Sequence, residues 1–194
     1  MGRGRWGSIA LYRTAESYIV QSGGSVLGSN STIGGGVVHF GAQSATYTVY
    51  VPVLSGGLLP VPKGLAGGWQ GVYDLSTNFW AARTIAFAAQ VKWSYMIEEI
   101  RQMQHALEGR SQALVQSIFD SSAIKDEEVT RFVVENCESA VTDSMKLFHH
   151  LLFKYADGFI NSWNEETGSF QSGYPGYPGY WLQSTDFSRG PPPP

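Results

Sequence analysis

A single cysteine, Cys137, stands in a chain of 194 residues. No internal disulfide framework is therefore open to the fold, and the composition suits a reducing compartment. Runs of Lys or Arg are also missing. Thirteen basic against 16 acidic residues leave a formal charge of -3, so the chain lacks the electrostatic footprint of a nucleic-acid binder. No uninterrupted apolar run is long enough to span a bilayer, and Met1 is followed by Gly-Arg-Gly-Arg-Trp rather than the apolar core of a secretion signal. These absences predict a cytoplasmic protein with neither a nucleic acid nor a membrane as partner. The sequon Asn30-Ser31-Thr32 would matter only with secretion.

What the chain does have is apolar material: 43% hydrophobic and 13% aromatic residues, enough for one domain with a sizeable core. Its first quarter has the pattern of strands. From Ser8 to Thr14, Ile9, Leu11 and Arg13 alternate with Ala10, Tyr12 and Thr14, and Glu16 to Gln21 carries the β-formers Tyr18, Ile19 and Val20. Both faces are apolar, which predicts a sheet covered on both sides. The stretch SGGSVLGSNSTIGGG, residues 22–36, is expected to be a loop. VVHFGA (37–42) and ATYTVYVPV (45–53) are expected to form a hairpin around Gln43 and Ser44, with Pro52 ending the pairing.

Leu54 to Asp74 is a long Gly/Pro-rich loop of the kind that carries function in compact domains. Two long helices are predicted after it. Ser76, Thr77 and Asn78 are N-cap candidates, and Phe87, Val91, Met96, Ile100, Met103 and Leu107 trace one apolar stripe ending near Gly109. A short helical run, Ala113 to Phe119, precedes a second start at Asp126-Glu127-Glu128, whose charges suit the positive end of the helix dipole. Val133, Cys137, Val141, Phe148, Leu151 and Leu152 form the apolar face of that helix. The tail contains SGYPGYPGYW and four final prolines, a composition for extended rather than packed structure. Two regions follow: a domain over 1–164 and a flexible Gly/Tyr/Pro-rich tail over 165–194, removable from about Gly168 onward.

Few residues offer chemistry. Cys137 falls in phase with Val133 and Val141, which makes it a buried structural thiol. His149 and His150 point about 100° apart on a helix and lack the i, i+4 geometry of a metal pair, so no metal site is expected. His39 lies in a strand, as a core or sheet-edge histidine. Glu98, Glu99, Arg101 and Glu108 are assigned to a solvated helix face. The glycine-rich stretches lack the Lys-Ser/Thr ending or the glycine spacing of a phosphate cradle, and no cofactor is expected.

The order of segments is more specific than any one of them. Tyr12-Arg13-Thr14, then VHFGAQSATYTVYVPVLSGG, then a Gly/Trp-containing loop, then STNFWAARTIAFAAQVKWSYMIEEIRQMQHALE resembles the C-terminal part of the cysteine dipeptidases among the N-terminal-nucleophile hydrolases, the group of dipeptidase D and the secernins. The resemblance covers roughly residues 8–155. It implies an α+β fold, part of an αββα sandwich in which two antiparallel sheets lie between helical layers. It also implies hydrolysis of dipeptides without a metal or other cofactor, by a cysteine that begins the chain, attacks the peptide carbonyl as thiolate and uses its own α-amine as base.

That cysteine lies well upstream of the matching region in the family, and no residue here corresponds to it. The expectation is a fragment or truncated product, inactive alone, or a chain completed by a partner, with a homo-oligomer among the arrangements; the alternative is a non-catalytic interaction module derived from the same fold. The resemblance gives Arg13 an auxiliary catalytic role, its guanidinium favouring the thiolate or holding the substrate carboxylate. A structural salt bridge, to Glu16 or another acid, stands beside that role as an equal reading.

Overall fold

The computed structural model describes residues 14–22, 33–56, 61–69, 71–120, 125–157, 159–174 and 183–186. The strand expected over residues 8–14 lies outside them but for Thr14, as do residues 23–32 and most of the Pro-rich tail. The chain is an α+β protein of antiparallel strands and long helices, in two compact units, residues 1–151 and 152–194.

In the first unit, β1 (Ser17–Ser22), β2 (Ile33–Gly41) and β3 (Val51–Gly56) form an antiparallel sheet in the order β1-β2-β3. Gln21 pairs with Val37 and Ile19 with His39, while Val37 and His39 pair onward with Leu54 and Pro52. The register shifts between Ile33 and Val37, across Gly34, Gly35 and Gly36, and glycine inside a strand often marks such an irregularity. Residues 33–36, expected in a loop, are therefore the first part of β2.

The hairpin is displaced from its expected position. Residues 45–50 are not strand. The Ser44 carbonyl accepts from the amides of Tyr47 at 2.9 Å and Thr48 at 3.1 Å, which folds the connection into a turn. Pairing then begins at Val51, and Pro52 lies within it, opposite His39. Proline is tolerated because β3 lies, among the described residues, at the edge of the sheet, where a missing N–H need not interrupt a ladder.

A four-residue helix, α1 (Lys63–Ala66), is followed by α2 (Asn78–Ala89), α3 (Trp93–Asp120) and α4 (Asp126–Tyr155). Thr77 caps α2, its Oγ1 accepting from the Trp80 amide at 3.4 Å and donating to the Asp74 carbonyl at 2.8 Å. The single stripe expected from Phe87 to Leu107 is split. The chain leaves the helix at Gln90–Lys92, with Gln90 and Val91 amides closing on the Phe87 and Ala88 carbonyls. The phase resets at the break. Phe87 and Val91 therefore face solvent, and the Arg83 guanidinium covers the Phe87 ring at 5.0 Å. Gly109 does not end α3, which continues through the segment expected as a separate short helix. Three buried residues beyond it, Ser111, Val115 and Ile118, hold the helix onto the core and outweigh one unfavourable glycine.

The core has two described centres. Val37 and Leu54 from the sheet meet Val115 and Ile118 of α3 and Val129 and Val133 of α4. Val49 and Val51 pack with Leu107, Cys137 and Ala140, with Leu65 and Met103 against them. Burial of each large side chain contributes about 1.5–3 kcal/mol. Between the long helices, Ser111 Oγ donates to Asn136 Oδ1 at 2.7 Å, and Asn136 Nδ2 donates to the Phe132 carbonyl at 3.0 Å, so the buried amide is satisfied on both ends.

In the second unit, β4 (Ile160–Asn164) and β5 (Ser169–Gly173) form a hairpin. Its turn is set by Asn164 Oδ1, which accepts from the Thr167 amide at 3.0 Å, and by Gly168 at φ +62, a left-handed angle that favours glycine. The boundary expected at Asn164 falls between these two paired strands, and β5 shows that Ser169–Gly173 does hold regular structure.

Candidate functional site

Two clefts flank the sheet in the first unit. The larger, of about 490 Å³, is lined by Ala15, Glu16, Phe40, Ala42, Leu65, Gly67, Gly68, Trp69 and Phe79. Its wall depends on two glycines. A Cβ on Gly67 would lie 2.5 Å from Thr77 Cγ2, and one on Gly68, at φ +99, 2.6 Å from Phe79 Cβ. Only glycine lets the loop approach the start of α2 this closely. Aromatic rings cluster beside it: Trp80 meets Tyr73 edge-on at 5.0 Å and Phe79 at 5.4 Å, and Trp80 Nε1 donates to the Trp69 carbonyl at 3.4 Å.

This cleft adjoins the sheet face that carries Tyr18, Val20, Val38 and Phe40. Along a strand, alternate residues share a face, and here Tyr18 and Val20 are 65% and 61% exposed. The helices cover Val37 and Leu54 on the other side. Ile19, on that other side, is 57% exposed as well, so the sheet expected to be covered on both faces is, among the described residues, covered at β2 and β3 on one face and open at β1 on both.

The second cleft, of about 210 Å³, lies between the sheet and α3 and is lined by Ile19, Gln21, His39, Tyr50, Glu108 and Gln112. It is built by a polar stripe on α3 at i, i+4, i+8. Gln104 Nε2 donates to the Thr48 carbonyl at 2.5 Å, and Glu108 Oε1 accepts from the Tyr50 amide at 3.0 Å. These side chains satisfy backbone groups of the irregular turn before β3. Tyr50 Oη in turn meets Ser17 Oγ at 2.8 Å. Burial raises the Glu108 pKa, against the opposing pull of the Tyr50 amide and His105, and burial lowers that of His39. Glu108 is therefore not part of a solvated face. Neither is Glu99, whose Oε2 lies 2.8 Å from His150 Nε2 with the side chain mostly buried. Glu98 and Arg101 are exposed, as expected.

Cys137 is buried, and burial together with the charge of Glu138 pushes its thiol up to about 11, despite the Gly64 and Leu65 amides that favour the thiolate. Gly64 packs so closely that a Cβ there would lie 2.7 Å from Cys137 Sγ. Such a thiol is protonated and inaccessible at neutral pH. His149 and His150 do not converge on a metal site; among the described residues no group of three His, Cys, Asp or Glu side chains could hold a metal ion. No described helix is long and apolar enough to cross a membrane. Arg13 lies outside the described residues; the nearest described position, Thr14, precedes Ala15 and Glu16 on the rim of the larger cleft.

Sequence reasoning missed the Glu108 cleft. The available signal was the spacing Gln104, Glu108, Gln112, a polar row one residue from the buried positions Leu107 and Ser111. Compared with known proteins, the chain matches no family model, no curated protein and no solved structure.

Proposed function

We propose that this chain is the C-terminal portion of a cysteine-type dipeptidase, contributing sheet, loop and helical cover to an αββα sandwich while the nucleophile comes from outside it. The observation that carries the reading is the open sheet face: Tyr18 and Val20 expose large apolar surfaces beside an aromatic-lined cleft, as a layer of a sandwich does when its neighbour is absent. The segment order from Arg13 through the hairpin to α3 points to the same family. Cys137, buried and protonated, does not compete for the role of nucleophile.

In this reading Arg13, which lies outside the described residues, serves the incoming thiolate or the substrate carboxylate. The test uses the protein expressed from a reading frame extended upstream to a cysteine-led start. Dipeptide hydrolysis and thermal unfolding are measured for Arg13, Arg13→Lys and Arg13→Ala. Turnover should fall in Arg13→Lys, which loses the planar donor fork, and further in Arg13→Ala, with little change in Tm. Normal turnover per folded molecule in Arg13→Ala removes Arg13 from the site, and no turnover in the unsubstituted protein overturns the dipeptidase reading.

The exposed rings also favour a second reading, a non-catalytic interaction module. An upstream frame with no cysteine-led strand would select it.

A further inference from the structure

The cleft under α3 holds a carboxylate with no lysine or arginine beside it among the described lining residues, and the pull of His105, which is not one of them, is weaker than the effect of burial. Glu108 uses Oε1 to accept from the Tyr50 amide. Among the described residues no ion pair reaches its carboxylate and nothing donates to Oε2. None of the other described lining side chains is a lysine or arginine. His39, with its pKa lowered by burial, supplies no positive charge at neutral pH and offers an acceptor nitrogen. Gln21 and Gln112 add amide carbonyls, and Ile19 adds an apolar wall. A half-buried carboxylate among neutral acceptors favours a cation that can donate several hydrogen bonds.

We propose that this cleft binds a small primary amine in its ammonium form, with Glu108 as the counter-ion and His39, Gln21 and Gln112 as acceptors. Three features select an ammonium over other cations. A divalent metal would find only one carboxylate and one imidazole. A guanidinium pairs best with two free carboxylate oxygens, and one of these is held by the Tyr50 amide. A quaternary ammonium needs an aromatic cage, whereas among the described lining residues Tyr50 is the only aromatic ring besides the imidazole. At about 210 Å³, well above the roughly 10–15 Å³ that a single water needs, the cleft has room for a short alkyl chain lying against Ile19. The inference does not depend on the dipeptidase reading, since none of its observations involves Arg13 or an incoming nucleophile.

Saturation-transfer NMR and thermal melting with butylammonium test the proposal, with 1-butanol as the uncharged probe. Butylammonium should bind saturably and raise Tm, and butanol should do neither. Glu108→Gln keeps an acceptor for the Tyr50 amide and should fold normally by circular dichroism, yet weaken butylammonium about tenfold or more. Gln112→Leu, which alters the site without touching the Tyr50 contact, should weaken it less. Alanyl-alanine and its N-acetyl form distinguish the sources of the amine. Competition by the free dipeptide alone assigns the site to peptide amino termini, and no competition by either assigns it to small free amines. Equal binding of butanol, undiminished binding in folded Glu108→Gln, or equal competition by the acetylated dipeptide would overturn the proposal.

Discussion

Glu108 couples two jobs through one carboxylate: it completes the hydrogen bonding of the turn before β3 and leaves a charge facing a cleft. Its raised pKa means that the folded chain holds the proton more tightly than the unfolded one, whose value is about 4.3. The stability this contributes is fully present below that value and is lost as pH rises through the folded pKa. His39 has the opposite sign. Its folded pKa is lowered, so its contribution is present above an unfolded value of about 6.5 and is lost as pH falls through the folded one. Melting the chain across pH 4 to 8 should therefore show Glu108→Gln flattening the loss above about 4.3 and His39→Gln flattening the loss below about 6.5. Glu108→Leu should cost about 1–3 kcal/mol at neutral pH, because the Tyr50 amide is left without its acceptor; an unchanged Tm would show that water replaces it. For Cys137, a thiol reagent should react slowly until denaturant is added, and rapid labelling of the native chain would contradict its burial.

At the scale of elements, helices were legible in the sequence where capping and charge agree with burial. Thr77 and the acidic start at Asp126 both open helices as expected. The stripe from Phe87 to Leu107 misled because a 3.6-residue period cannot reveal a phase reset at Gln90–Lys92, and Gly109 misled because glycine ends a helix only when nothing beyond it is buried. A Cβ on Gly109 would meet nothing within 4 Å, so Gly109→Ala should stabilise the chain by about 0.5–1 kcal/mol, read as a higher denaturation midpoint with unchanged slope. Pro52 misled for a related reason: whether proline breaks a ladder depends on which side of the strand is paired, and that is a property of the sheet. The candidate site was less legible still. Glu108 was hidden because its partner, the Tyr50 amide, is 58 residues away in sequence.

The first unit as a whole presents an edge strand with apolar residues on both faces. Tyr18, Ile19 and Val20 are each more than half exposed, and among the described residues β1 pairs on one side only. Such an edge templates pairing with other chains. Light scattering coupled to size exclusion should show concentration-dependent association of the chain, reduced in Val20→Lys, which charges the open face while leaving the Glu108 cleft intact. A monodisperse monomer at all concentrations would contradict the open sheet.

If this face and edge are completed by the cysteine-led part of a dipeptidase, as we propose, hydrogen exchange of the β1 amides will report it. In the chain alone, the amides of Tyr18, Ile19 and Val20 that are not bonded to β2 should exchange rapidly. In the protein extended upstream to the cysteine-led start they should be protected by at least tenfold, together with the appearance of dipeptide hydrolysis. Equal exchange in the two proteins, with the extended one folded, would contradict the account.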